Sequence, residues 1–169
     1  YFAFPYDETG LSSGEWAERM VLDEALTMDE PLRYDAVTRE DLPEYHVLKK
    51  AVHNVRARLN IANIPLTSDF SVEFSHHYGI RNFNEVGTVM VNVINRDYCK
   101  KVLVQLPGQQ HPLHYHKLKE ETFLVLSGTL YCELDGRRYT LQRGDTLLVL
   151  PGVWHRFWTE DGALFEEIS

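Results

Sequence analysis

From Phe70 onward the chain alternates short apolar runs with turn signals. The runs are "FSVEFSHH", "TVMVNVIN", "KKVLVQL", "TFLVLSG", "TLYCEL", "RYTL", "TLLVL", "HRFW" and "ALFEEI". Each is rich in β-branched and aromatic residues and bounded by Gly, Pro, Asn or Asp, the signature of a strand. Asp135-Gly136 stands between two of them as a hairpin turn, and Gly144-Asp145 opens another. About nine strands with brief turns and no long helix among them must dispose of their edges. Closure into a small barrel or a double-sheet jelly roll does so. The predicted fold class is therefore mainly β.

Before Phe70 the period changes. In "SSGEWAERMVLDEAL", Ser12 or Ser13 offers an N-cap, and Trp16, Met20 and Val21 follow at helical spacing. Asp41-Leu42-Pro43-Glu44 supplies an acidic cap, a Pro at an early helical position and a Glu three after the cap. Tyr45, Leu48, Val52, Val55 and Leu59 then form one apolar stripe, with Lys49, Lys50, Arg56 and Arg58 off it, and Asn63-Ile64-Pro65 ends the pattern. Such a stripe predicts a packing face, against the strands or against a partner subunit. The chain divides into a helical N-terminal extension, 1–65, and a β domain, 66–169.

The totals narrow the classes. With 169 residues, 44% hydrophobic and 25% charged, the chain suits one elaborated domain with a real core. A net charge of −8 argues against a nucleic-acid or anionic-membrane surface as the main partner. No apolar run is long enough to span a bilayer, and Tyr1-Phe2-Ala3-Phe4-Pro5 does not read as a signal peptide, so a cytoplasmic protein is expected. The chain does not begin with Met, which points to processing or to excision from something longer. Cys99 and Cys132 fall in strand-like runs and read as buried free thiols of a reducing compartment.

The chemistry concentrates in "GQQHPLHYHKLKEETFLVLSG", Gly108 to Gly128. Residues two apart on a strand share a face, so His114 and His116 aim two imidazoles into one space while Tyr115 points away. Glu121 begins the next strand, and its carboxylate can swing back to the same space. His155, in "PGVWHRFW", follows a Gly turn and opens a late strand. Three imidazoles and one carboxylate make a face for one divalent cation, with a position or two left open for water or substrate. His111 belongs on the rim, either lining the site or at plain surface. Lys119 is either a solvated turn residue or a cation held for substrate oxygens. Glu166 and Glu167 point to opposite faces of the last strand; both faces carry apolar residues, so parity does not choose between them. His76-His77 also splits across two strand faces and reads as structural. Tyr78, Tyr131 and Tyr139 read as barrel packing.

These motifs resemble those of the cupin superfamily. Its first motif is matched by Gly108, QQHPL, His114-Tyr115-His116, KLKE, Glu121, TFLVLS and Gly128. Its second is matched by Gly144, DTLLV, Pro151-Gly152, VW and His155, with Leu150 where Pro is usual and Thr159 where Asn is usual. Two spaced motifs carrying every ligand type are far more specific than a lone His-x-His. The resemblance implies a double-stranded β-helix, the jelly-roll barrel, and metal ligands at His114, His116, Glu121 and His155.

Within that superfamily, "NRDYCKKVLVQLPGQQHPLHYHKLKEETF" and "DGALFEEIS" are similar to the small D-lyxose isomerase group. That likeness implies one divalent ion (Mn, Zn, Fe or Ni, with Mn or Zn favoured) and a small-molecule sugar substrate. It also implies aldose–ketose isomerisation through a metal-stabilised enediolate, with Glu167 as acid/base and Lys119 steadying oxygen charge. His111, Lys119 and Glu167 would then line the substrate. Cupins commonly pair through strands and N-terminal segments, which implies a homodimer; no nucleic acid or membrane is expected. Two other readings stand beside this one. "EFSHHYGI" is similar to cupin domains attached to sialic-acid-synthase-type enzymes, which would make the chain a non-catalytic sugar-binding or assembly module. The same ligand set would also serve an Fe(II) dioxygenase.

Overall fold

A computed structural model describes residues 43–67 and 69–169. The candidate helix of Ser12 or Ser13, Trp16, Met20 and Val21, and the capping Asp41, lie outside the described residues. Helix α1 spans Pro43–Ile61, so the Pro occupies the first turn, where its missing N–H costs nothing. Asn63 turns left-handed with φ 58°, the amide of Ile64 returns to the carbonyl of Leu59 at 2.9 Å, and Pro65 follows, a standard helix stop.

All nine apolar runs form strands: β1 Ser71–Ser75, β2 Thr88–Asn95, β3 Cys99–Gln105, β4 Glu121–Gly128, β5 Leu130–Leu134, β6 Arg137–Leu141, β7 Thr146–Val149, β8 His155–Trp158 and β9 Ala163–Ile168. They build a six-stranded sheet in the order β1-β2-β3-β9-β4-β7 and a three-stranded sheet in the order β6-β5-β8. Every named pairing is antiparallel. The long-range pairing of β9 between β3 and β4 gives the double-sheet jelly roll. Asp135 and Gly136 both take positive φ, 46° and 81°, as a two-residue hairpin between β5 and β6 needs.

Alternation along the large sheet divides the core in two. Leu103, Phe123, Val125, Phe157 and Phe165 point inward and fill the space between the sheets. Val72, Phe74, Val89, Val91, Val102, Val104 and Leu164 point outward and are covered by Leu48, Val52, Val55 and Leu59 of α1. Of the two destinations expected for the helical stripe, its own strands are the one observed. The β1 run stops at Ser75, so His76-His77 lies in a turn and not on a strand. Tyr139 packs inward as expected. Tyr131 instead stacks on Trp158, its ring centroid 5.6 Å away, and Tyr78 is 62% exposed, too open to be barrel packing.

Two motif positions have clear local causes. Gly128 has φ 79° and lies so close to the carbonyl of Gly162 that a Cβ would collide with it. Thr159 is buried; its hydroxyl donates to the Thr129 carbonyl at 2.8 Å and accepts from the Gly162 amide at 3.0 Å. It thereby ties the turn before β9 to the start of β5, a polar bracing that accommodates the departure from Asn.

Because Leu59 is buried at the helix–sheet contact, Leu59→Ala is expected to cost about 2–5 kcal/mol in urea denaturation. The exposed His53→Ala on the same helix is expected to stay within about 0.5 kcal/mol.

Candidate metal centre

The segment after β3 does not run as a strand through His114 and His116; it is irregular, with single bridges to neighbouring elements. Strand alternation therefore does not place the two imidazoles. Pairing with the start of β8 does. The amides and carbonyls of His114 and His155 exchange two hydrogen bonds, 2.9 and 2.8 Å, and the Gly152 amide donates to the His116 carbonyl at 2.7 Å. Upstream, buried Gln109 pins the segment: its side chain accepts from the Leu106 amide at 2.8 Å and donates to the Phe83 carbonyl at 2.5 Å.

The result brings together all four residues the sequence pointed to. Ligand atoms of His114, His116, Glu121 and His155 lie within 4.8 Å of one another. His114 Nδ1 bonds the Pro112 carbonyl at 2.9 Å and His155 Nδ1 bonds the Val153 carbonyl at 3.0 Å. A carbonyl accepts only, so both Nδ1 atoms carry hydrogen and, in the neutral rings, both Nε2 atoms present a lone pair, the arrangement metal-binding imidazoles use. His155 Nε2 is buried and lies 3.2 Å from Glu121 Oε2, yet makes no aligned hydrogen bond. A nitrogen lone pair facing a carboxylate oxygen at that distance is relieved by a proton or by a metal cation between them. The donor set fits a divalent metal.

The electrostatics agree. Glu121 is 3% exposed. Burial alone would raise its pKa, but the neighbouring His155 imidazole, the Lys119 ammonium and the charge of His116 outweigh it and hold the carboxyl at about 2. His155 is pulled down by burial and, more strongly in sum, raised by Glu121. His114 has no such carboxylate contact; burial lowers it to about 4.

Lys119 is half-buried and no ordinary turn residue. Its ammonium lies 2.7 Å from Glu121 Oε1 and 2.7 Å from Glu167 Oε1. Burial acts to lower its pKa, and the two carboxylates override this and raise it. Glu167 is 6% exposed and faces inward, while Glu166 faces outward and pairs with Lys100 at 3.1 Å. His111 lines the cluster: its ring stacks on Phe157 at 4.6 Å and meets the His114 ring edge-on at 4.5 Å. Its Nε2 lies 3.0 Å from His77 Nε2, so the turn after β1, read from sequence as structural, reaches the back of the histidine cluster. That contact spans 34 positions of sequence, and local spacing carries no trace of it.

The cupin domain family matches residues 102–165, the stretch that carries β4 to β8 whole, parts of β3 and β9, and the whole histidine–glutamate cluster. Residues 102–165 form a cupin domain. A D-lyxose/D-mannose isomerase of Thermosediminibacter oceani is 26% identical over 151 residues, covering 72% of this chain and 82% of that protein. A quercetin 2,3-dioxygenase of Bacillus subtilis is 40% identical over 75 residues, covering 43% of this chain and 22% of that protein, so the chain spans about a fifth of its length. Among solved structures, a cupin-2 domain protein from Shewanella frigidimarina is 18% identical, with a TM-score of 0.45 over 72% of this chain and 97% of that one. Among the described residues no helix is long and apolar enough to cross a membrane. Cys99 and Cys132 are free, and burial pushes the Cys132 thiol up to about 12.

The depressed imidazoles set an acid limit for the cupin. Burial, with the neighbouring His114 and His77 charges, lowers His111 to about 3. His111 and His114 therefore take up protons more readily unfolded than folded, so their contribution is complete above about pH 6.5 and is lost as pH falls toward 4 and 3. Glu121 adds a loss below its ordinary value toward about 2, while His155, raised, works the other way as pH climbs. For chelator-treated protein, the urea midpoint should drop between pH 7 and pH 4.5. His111→Phe, which keeps the stack on Phe157, should flatten that slope.

Proposed function

We propose that this cupin is a metal-dependent aldose–ketose isomerase acting on a small sugar of the D-lyxose or D-mannose kind. The observation that carries the reading is the Lys119 bridge: one ammonium joins the candidate ligand Glu121 to a second inward carboxylate, Glu167, at 2.7 Å each. An isomerase needs such a second carboxylate beside its metal, to take a proton from one carbon and return it to the next. The match to a D-lyxose/D-mannose isomerase over most of both chains supports the same chemistry.

His114, His116, Glu121 and His155 would hold the ion, with Mn or Zn favoured. A divalent ion there supplies Lewis acidity to adjacent carbonyl and hydroxyl oxygens, which acidifies the C–H between them. Glu167, buried against the barrel wall, takes that proton and delivers it to the neighbouring carbon, while the hydroxyl proton passes from one oxygen to the other so that carbonyl and alcohol exchange places. Lys119 stays protonated between its two carboxylates, orients Glu167 and steadies charge on the substrate oxygen. His111 closes the back of the site against Phe157 and holds the His114 ring. The protein is a cytoplasmic homodimer in this reading, its contact drawing on the outer sheet end that α1 leaves uncovered, where Leu148 and Ile168 are each about half exposed.

Protein loaded with Mn is expected to interconvert D-lyxose and D-xylulose, or D-mannose and D-fructose. Glu167→Gln should lower kcat by about a hundredfold or more while metal content is unchanged. Loss of metal from that variant, or full activity in it, would contradict the role given to Glu167. The stretch shared with a quercetin dioxygenase motivates one competing reading, an Fe(II) oxygenase. Oxygen uptake on adding substrate, with no ketose formed, would favour it over the isomerase.

A further inference from the structure

We infer that Lys101 and Asn92 form a second wall of the same pocket and that Lys101 grips the part of the sugar farthest from the reacting carbons. This rests on the sugar-isomerase reading above and adds the residues that select the substrate.

The inference comes from register. Lys101 on β3 lies directly opposite Glu167 on β9, and Asn92 on β2 lies directly opposite Lys101. Two residues along each strand, Met90, Leu103 and Phe165 pack into the core between the sheets. Side chains two apart on a strand share a face. Asn92, Lys101 and Glu167 therefore form one inward row, ending beside Phe123 of β4. The neighbouring Lys100 points the other way and pairs with the outward Glu166.

Inward positions of a packed double sheet are ordinarily apolar. Here the interior changes character along the strands. The row of Met90, Leu103, Phe165 and Val125 is apolar, and the next row toward the candidate metal centre is polar. Lys101 is half-buried on this row, where a counter-charge or a ligand would steady its ammonium. Among the described residues Lys119 is the cation that Glu167 pairs with, and Lys101 forms no ion pair. The Asn92 amide donates to Ser71 Oγ at 3.2 Å, and its Oδ1 is buried without a hydrogen-bond partner. An ammonium without an ion pair and a carbonyl oxygen without a donor thus occupy paired positions of the inward row that continues to Glu167. One donates only and the other accepts only, the complement a chain of hydroxyl groups satisfies.

The test compares Lys101→Met with Lys100→Met, adjacent lysines on opposite faces. Steady-state rates with D-lyxose and D-mannose are read together with metal content, thermal midpoint and saturation-transfer NMR of each sugar. Lys101→Met should raise KM about tenfold or more and weaken the NMR signal, with kcat changed by less than about threefold and metal content intact, the scale of one hydrogen bond to a charged group. Lys101→Arg should restore part of the loss, and Lys100→Met should match wild type. Equal KM in wild type and Lys101→Met, or equal effects of the two lysine changes, would overturn the inference and leave the isomerase reading standing. Wild type that neither converts nor binds either sugar would overturn the isomerase reading, and the sugar grip with it.

Discussion

The arrangement turns on one buried carboxylate. Glu121 opens β4 almost without solvent contact, with His116, His155 and Lys119 all within 3.2 Å of its two oxygens. A charge in that position is tolerated only if its neighbours compensate it. Lys119 supplies a permanent counter-charge on one side, and the imidazole lone pairs leave room for a cation on the other. Lys119 in turn fixes Glu167, so the geometry of the candidate acid/base follows from the electrostatic needs of Glu121.

The barrel delivers these groups from parts of the chain far apart in sequence. β9 lies between β3 and β4, which sets Glu167 beside the start of β4. The segment carrying His111, His114 and His116 is held against β8 by backbone hydrogen bonds, which brings His155 across from His114. The hairpins and turns that allow this rest on a few special positions, among them Gly128 beneath the Gly162 carbonyl and Thr159 bracing the turn before β9. Helix α1 covers the outer face of the large sheet over β1 to β3 and the start of β9 and completes a second core there.

Much of this was legible in the sequence. The nine strand runs and the apolar stripe of α1 are local periodicities, and local periodicity is what a single sequence reports best. That the four candidate ligands would cluster was legible as well, because their spacing and residue types are distinctive. Strand alternation does not bring His114 and His116 together; they converge through pairing with the start of β8 and the turn before it. The choice between Glu166 and Glu167 could not come from periodicity, because α1 and the inner core bury both faces of β9 and leave both sets of neighbours apolar. Residue likeness chose the inward one. Lys101, Asn92 and the His77–His111 contact were out of reach, since each depends on strand register or on a turn meeting a distant loop.

Elemental mass spectrometry of the purified protein against a His114→Ala/His116→Ala variant tests the central claim most directly. The account predicts about one divalent ion per chain in wild type, taken up again after chelation, and none in the variant, with both proteins folded. Folded wild-type protein that holds no metal and takes none up when Mn, Zn, Fe or Ni is offered would contradict it. The barrel would then be a binding or assembly module whose buried carboxylate is satisfied by Lys119 and protonated histidine alone.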